Sequence, residues 1–187
     1  MNPDLFLLKI LNLEVANPLL DRFIPLFSDL DLWKPVFLAV GGLILLSRRR
    51  SGILIIAGAF LSFLLSEALS SDVLKPLLDR PRPCEVHQWV RLLSSFCPKS
   101  PSFTSTHAAN SFAVTTYLSF HFPRARVPLL LVASLVGFSR IYMGVHWPSD
   151  VVAGAALGVG CAFLLHGATK SLMRSIGPCS PERSSRP

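Results

Sequence analysis

Apolar residues in this chain fall in long, nearly uncharged runs. The clearest cover residues 33–47 ("WKPVFLAVGGLILLS"), 52–71, 107–122, 126–143 and 148–169. Such runs predict helices that cross a bilayer, which takes roughly 20 residues. The first is short for a crossing, so it starts earlier or sits in locally thinned lipid. Residues 4–30 mix Leu, Ile and Phe with Asp4, Lys9, Glu14, Asp21, Arg22 and Asp29, and Pro18 and Pro25 interrupt them. That mixture predicts short amphipathic helices lying at the membrane interface. The whole pattern predicts an all-α, polytopic transmembrane bundle of five spans, or six if the N-terminal segment dips into the bilayer.

Composition sharpens this picture. A hydrophobic share of 51% and a mean hydropathy of +0.51 exclude a soluble globule. The formal charge of +7 invites a nucleic-acid reading, but the cations sit between apolar runs rather than on one face of a soluble fold, so no nucleic-acid partner is expected. A length of 187 residues suits one domain. We expect a single membrane-embedded unit over 1–176 and a disordered cytoplasmic tail over 177–187 ("GPCSPERSSRP"). The N-terminus lacks a basic region ahead of an uninterrupted apolar core, so no cleaved signal peptide is read and the first span is expected to target the chain.

With five spans, "SRRRS" at 47–51, "PRAR" at 123–126 and the basic tail share one side, which the positive-inside rule places in the cytoplasm. The loop of 72–101 and the turn of 144–147 then face the periplasm or exterior. That loop carries Lys75, Arg80, Arg82, Arg91 and Lys99, against the rule unless these cations have another task.

Three polar clusters fall on this outer side. In "KPLLDRPRP" at 75–83, a proline-bearing segment can fold Lys75 and Arg82 toward one point, as donors that suit a phosphate. The same pair also reads as snorkelling interfacial anchors. In "SFTSTHAAN" at 102–110, Thr104, Ser105 and Thr106 sit where the third span begins. Free amides and the positive end of a helix dipole make an anion site there, with His107 beside it. Ordinary hydroxyl capping is the plainer alternative. In "SRIYMGVHWPSD" at 139–150, Arg140 ends one span and Pro148 opens the next, which lets first-turn Asp150 reach back to His146. A carboxylate on one ring nitrogen leaves the other as a nucleophile. His107, His146 and Asp150 could together bind zinc, but three nearby cations disfavour a metal, and none is expected. Ionisable groups are costly at a membrane, so the convergence of six with a hydroxyl argues for a site.

These motifs resemble a family pattern. "K-x6-R-P" at Lys75–Pro83, a "P-S-G-H"-like box at 104–107 and "S-R-x5-H-x3-D" at Ser139–Asp150 are similar to those of the type 2 phosphatidic acid phosphatase superfamily, which includes vanadium haloperoxidases. The middle box departs from it, with Thr104 and Thr106 where proline and glycine are usual. The resemblance implies a helical bundle, no cofactor or metal, and a phosphohistidine intermediate. It casts His146 as nucleophile, Asp150 as its orienting partner and His107 as the acid that protonates the leaving oxygen. It casts Lys75, Arg82, Ser105 and Arg140 as the phosphate cradle, with Thr106 beside them.

The expected function is an integral lipid phosphatase of the cytoplasmic membrane, with its site on the outer face and undecaprenyl diphosphate as first substrate. Phosphatidylglycerol phosphate, phosphatidic acid and lipid A 1-phosphate are the alternatives, and a lipid-to-lipid phosphotransferase would carry the same motifs. A haloperoxidase fits poorly with five spans, and a channel with an anion site would not need His146. Cys84 and Cys97 share the outer loop, whereas Cys161 lies in the last span and Cys179 in the tail. On the orientation above, only the first pair meets an oxidising compartment, and a Cys84–Cys97 disulfide is expected.

Overall fold

Prolines that interrupt the N-terminal region open its helices instead of breaking them. In the computed structural model, which describes residues 2–175, α1 (Pro3–Lys9) follows an Asn2 cap whose side chain accepts from Asp4 N at 3.0 Å. A π turn carries the chain to Glu14, and α2 (Pro18–Phe23) starts on an Asn17 cap. Pro sits well at a first helical position, where its missing N–H would have had no partner. A 3₁₀ turn over Ile24–Ser28 leads to Asp29, the cap of α3 (Leu30–Ala68).

α3 joins the first two expected spans. It breaks at Arg49, in the basic "SRRRS" stretch, where φ is 44°. The first rod begins at Leu30, which supplies the length that residues 33–47 lacked. Beyond it come a π turn to Leu74 and the short helices α4 (Lys75–Leu78) and α5 (Pro83–Val86), then α6 (Thr106–His121), α7 (Arg126–Tyr142) and α8 (Pro148–Ser175). No strand occurs among the described residues. The tail expected from Gly177 lies outside them.

Three segments are long and apolar enough to cross a membrane: Leu30–Val86, Pro123–Tyr142 and Pro148–Ser171. The all-helical, membrane-type architecture therefore stands, while five to six separate crossings exceed what length and composition alone support. α6 is the reason for one shortfall. Its 16 residues rise only about 24 Å, against a hydrocarbon core of about 30 Å.

α6 nevertheless holds the bundle together. Where it meets α8, side chains are small: a methyl group on Gly158 would lie 2.1 Å from Ala109 O, and one on Gly154 2.5 Å from Ser105 O. Small residues spaced four apart let two helix backbones approach, and dispersion then acts over the whole contact. On the α3 side, Tyr117 is fully buried and fills the space left by Gly58. Ile44, Ile55, Ala59, Leu118 and Ala162 complete that core.

The N-terminal arm is fastened across the end of the bundle where α7 finishes and α8 begins. Buried Asn12 donates to Arg91 O and Tyr142 O, each at 2.8 Å, and accepts from Arg91 N at 2.9 Å. Asp21 pairs with Arg91 at 2.7 Å and accepts from the Tyr142 hydroxyl at 2.5 Å. Gly144, at φ 77°, turns the chain after α7 in a space where a Cβ would meet Arg91 O at 2.6 Å. Leu19 and Phe23 on the arm stay largely exposed.

Cys84 and Cys97 are bonded, with Cα atoms 6.1 Å apart. In the chain-entropy model a loop of this size contributes about 3 kcal/mol. Replacing both cysteines with alanine is expected to lower stability by about that amount in chemical denaturation. Non-reduced protein from the native host should carry alkylating label on neither residue, and label on both would remove the bridge and the oxidising environment with it.

Candidate active site

Three stretches distant in sequence meet at the end of the bundle where α6 and α8 begin and α7 finishes. Arg82, buried just before α5, is fixed by carbonyls: Nε donates to Ser100 O and Nη1 to Val145 O, both at 2.8 Å. Nη1 also stands 3.1 Å from Nε2 of His146. A guanidinium can only donate, so Nε2 presents its lone pair and the ring proton belongs on Nδ1. Nδ1 in turn faces Asp150 Oδ2 at 3.5 Å. Burial pushes the His146 pKa down to about 4, with the Asp150 hydrogen bond pulling the other way and the Arg82 and Arg140 charges adding to the fall. The ring is therefore neutral at pH 7, with Nε2 turned toward a guanidinium.

The long His146–Asp150 contact is only part of what holds the carboxylate. Asp150, with no solvent exposure, accepts from Trp147 N at 2.9 Å and from the Ser102 hydroxyl, both on Oδ2. Its other oxygen takes Arg80 Nη1 at 2.6 Å. Arg80 and Ser102 stand inside the stretches that the motifs marked, yet neither was singled out. Arg80 looked like one more loop cation beside Arg82, and Ser102 like a residue preceding the hydroxyl box. What reveals them is contact across 70 and 48 positions of sequence.

Ser105 is the cap of α6, its hydroxyl accepting from Ala108 N at 3.5 Å while its own amide donates to Asp150 O at 3.0 Å. This ties the start of α6 to the start of α8 and leaves the first-turn amides of Thr106 and His107 for an outside acceptor. Thr106 adopts helical backbone, so a side chain costs nothing where glycine is usual. Its hydroxyl pairs with Ser70 at 3.0 Å, and Thr104 meets the same serine at 2.9 Å.

Lys75, His107 and Arg140 complete the cluster. His107 feels the charges of Arg140, His146, Lys75 and Arg82, and Lys75 those of Arg82, Arg140 and Asp150. Lys75 makes no hydrogen bond or ion pair among the described residues. Arg140 Nε is buried with no partner. Unpaired buried donors are costly unless an acceptor arrives, so this corner is chemically suited to an anion. His107, His146 and Asp150 do not form a metal-ligand group; among the described residues no three His, Cys, Asp or Glu side chains do.

Two of the remaining loop cations are paired. Arg80 is shared between Asp150 and Asp4, and Arg91 is paired with Asp21. Both cations therefore have carboxylate partners within the fold.

LpxE of Aquifex aeolicus, in its crystal structure, is similar to this chain with a TM-score of 0.70 and 31% identity, covering 86% of this chain and 93% of that one. The PAP2-type phosphatidylglycerolphosphate phosphatase of Bacillus subtilis is similar at a TM-score of 0.69 and 25% identity, covering 91% and 86%. Among curated relatives, the lipid A 4'-phosphatase of Bacteroides thetaiotaomicron is 25% identical over 77% of this chain and 67% of its own length. The lipid A 1-phosphatase of Rhizobium johnstonii is 34% identical over 57% and 46%. The chain thus spans between about half and two thirds of the length of these curated relatives. The profile of the PAP2 superfamily matches residues 54–174, a stretch that holds Lys75, Arg82, Ser105, His107, Arg140, His146 and Asp150, and the chain belongs to that superfamily.

Proposed function

We propose that the protein is a membrane-embedded phosphatase that removes the terminal phosphate of a lipid phosphate through a phosphohistidine on His146. The observation that carries this is the His146 ring between Asp150 on Nδ1 and Arg82 on Nε2. The neutral ring attacks phosphorus through the Nε2 lone pair, and the bond from phosphorus to the leaving oxygen breaks. His107, which takes up a proton once the anionic substrate sits beside it, delivers that proton to the leaving oxygen. The imidazolium character that develops on His146 is balanced by Asp150. In the second half His107 takes a proton from water, the hydroxide displaces Nε2 from phosphorus, and inorganic phosphate leaves. Lys75, Arg82, Arg140 and the start of α6 neutralise the equatorial oxygens throughout, the largest electrostatic demand of phosphoryl transfer.

A five-span topology suits this chemistry. The two rods of α3, with α6, α7 and α8, place all the site residues at one end of the bundle, and the positive-inside rule sends "SRRRS" and "PRAR" to the other. The site would then face the periplasm or exterior of the cytoplasmic membrane, with α1 and α2 as an interfacial arm on the same side. We keep undecaprenyl diphosphate as the first substrate to assay. A relative from Sulfolobus acidocaldarius is named an undecaprenyl-diphosphatase, at 34% identity over 71% of this chain. The relatives named lipid A phosphatases put a lipid A phosphate level with it, and phosphatidylglycerol phosphate and phosphatidic acid complete the assay panel. Phosphate release measured with and without a second lipid acceptor separates hydrolysis from phosphotransfer.

His146→Ala should abolish turnover in a folded, inserted protein, and activity within about tenfold of wild type would end the assignment. His107→Ala should slow a phosphomonoester more than a diphosphate, whose leaving group needs less protonation, and equal losses would remove His107 as the acid. Activity should survive EDTA and be blocked by vanadate. Loss in EDTA with recovery on a divalent metal would replace the phosphohistidine scheme by a metal one.

A further inference from the structure

Asp4 lies on α1, outside residues 54–174, yet it reaches the candidate site. One oxygen pairs with Arg80 Nη2 at 2.7 Å and accepts from the Ser149 hydroxyl at 2.5 Å. The other accepts from Ser149 N at 2.8 Å, in the first turn of α8. Arg80 spends its second nitrogen on Asp150 at 2.6 Å and on the Ser149 hydroxyl at 2.7 Å, and its guanidinium lies over the Trp147 ring at 5.1 Å. Ser149 is thereby locked from three directions. The Asp4 side chain is 15% exposed, so these bonds are only partly open to water. Burial pushes its pKa up, but the bonds from Ser149 and Arg80 outweigh burial and keep the carboxyl ionised.

A charge count shows what Asp4 does. Arg80 alone would neutralise Asp150, and a neutralised carboxylate cannot offset the positive charge that grows on His146 as it attacks. With Asp4 present, the trio Asp4, Arg80 and Asp150 carries a net charge of −1 (−1 + 1 − 1), and the deficit is available to the imidazole. Arg80 fixes where Asp150 stands without cancelling it. We propose that Asp4 is a positioning residue of the active site, acting through Arg80 and Ser149 on the Asp150–His146 pair, so that the N-terminal arm is a working part of the phosphatase. This rests on the phosphohistidine scheme above.

The test uses the full chain in detergent micelles, with dioctanoyl phosphatidic acid and farnesyl diphosphate as probes and rates taken per monodisperse, folded enzyme. Asp4→Asn is expected to lower kcat by about tenfold or more while KM stays within about threefold, because Asp4 acts on the chemical step and not on the lipid. Asp4→Glu, which keeps the charge, should hold kcat within about threefold of wild type. In an Arg80→Gln background, Asp4→Asn should change kcat by less than about twofold, since its path to Asp150 is already cut. Should Asp4→Asn not be recoverable, Ser149→Ala, which removes the hydroxyl between Asp4 and Arg80, carries the test with an expected kcat loss of about threefold to tenfold. Full kcat in Asp4→Asn (or in Ser149→Ala as its substitute), or losses that multiply in the double variant, would overturn the proposal. His146→Ala, assayed alongside, separates the two failures. An inactive His146→Ala with an unimpaired Asp4→Asn sinks only the role of Asp4, whereas an active His146→Ala sinks the site itself.

Discussion

The carboxylate of Asp150 has no solvent exposure and is paired with Arg80, and much of one end of this protein is arranged around that fact. A buried charge is tolerable only when paired and fully hydrogen-bonded. Here the partners come from three places: Arg80 from the turn before α5, Ser102 from the loop before α6, and the Trp147 amide from the entry to α8. Satisfying one carboxylate therefore docks two loops onto a helix start. His146, the neighbour with the longest contact, gains orientation from a partner that three other groups already hold in place.

Positive charge is distributed with equal economy. Arg80 and Arg91 are neutralised by Asp4 and Asp21 of the N-terminal arm. Arg82 is held rigid by carbonyls, which fix direction without removing charge. Lys75 and the Nε of Arg140 are left without partners. The site is thus electropositive because some cations are cancelled and others are not, and burial keeps His146 neutral. An anion with several oxygens answers this arrangement better than a metal ion would.

Close helix packing makes that geometry firm. Gly154 and Gly158 let α8 approach α6 so closely that Ser105 O and Ala109 O lie where side chains would otherwise sit. The Ser105 amide then reaches Asp150 O at 3.0 Å, so the packing of small residues and the position of the α6 N-terminus are one contact. α6 itself is short for lipid and rich in buried hydroxyls such as Thr115 and Ser119, which bond back to its own carbonyls. Its place is inside the bundle rather than against the membrane.

Much was written in the sequence because the signals are local. Apolar runs set the helices, Ser105 capped one of them, and the spacing of Lys75, Arg82, Ser105, His107, Arg140, His146 and Asp150 marked the groups that the fold brings to one end. Periodicity, capping and motif spacing act within a few turns of chain, so a linear string is enough to read them. Tertiary structure alone decided the rest. It joined two expected spans into one helix broken at Arg49, paired the Thr106 hydroxyl with Ser70, and brought Arg80 and Ser102 onto Asp150 and Asp4 onto Arg80. Arg80 and Ser102 stand 70 and 48 positions from Asp150, and Asp4 stands 76 from Arg80; such partners are chosen by where packed helices leave a buried charge unsatisfied, a condition that exists only once the bundle has formed.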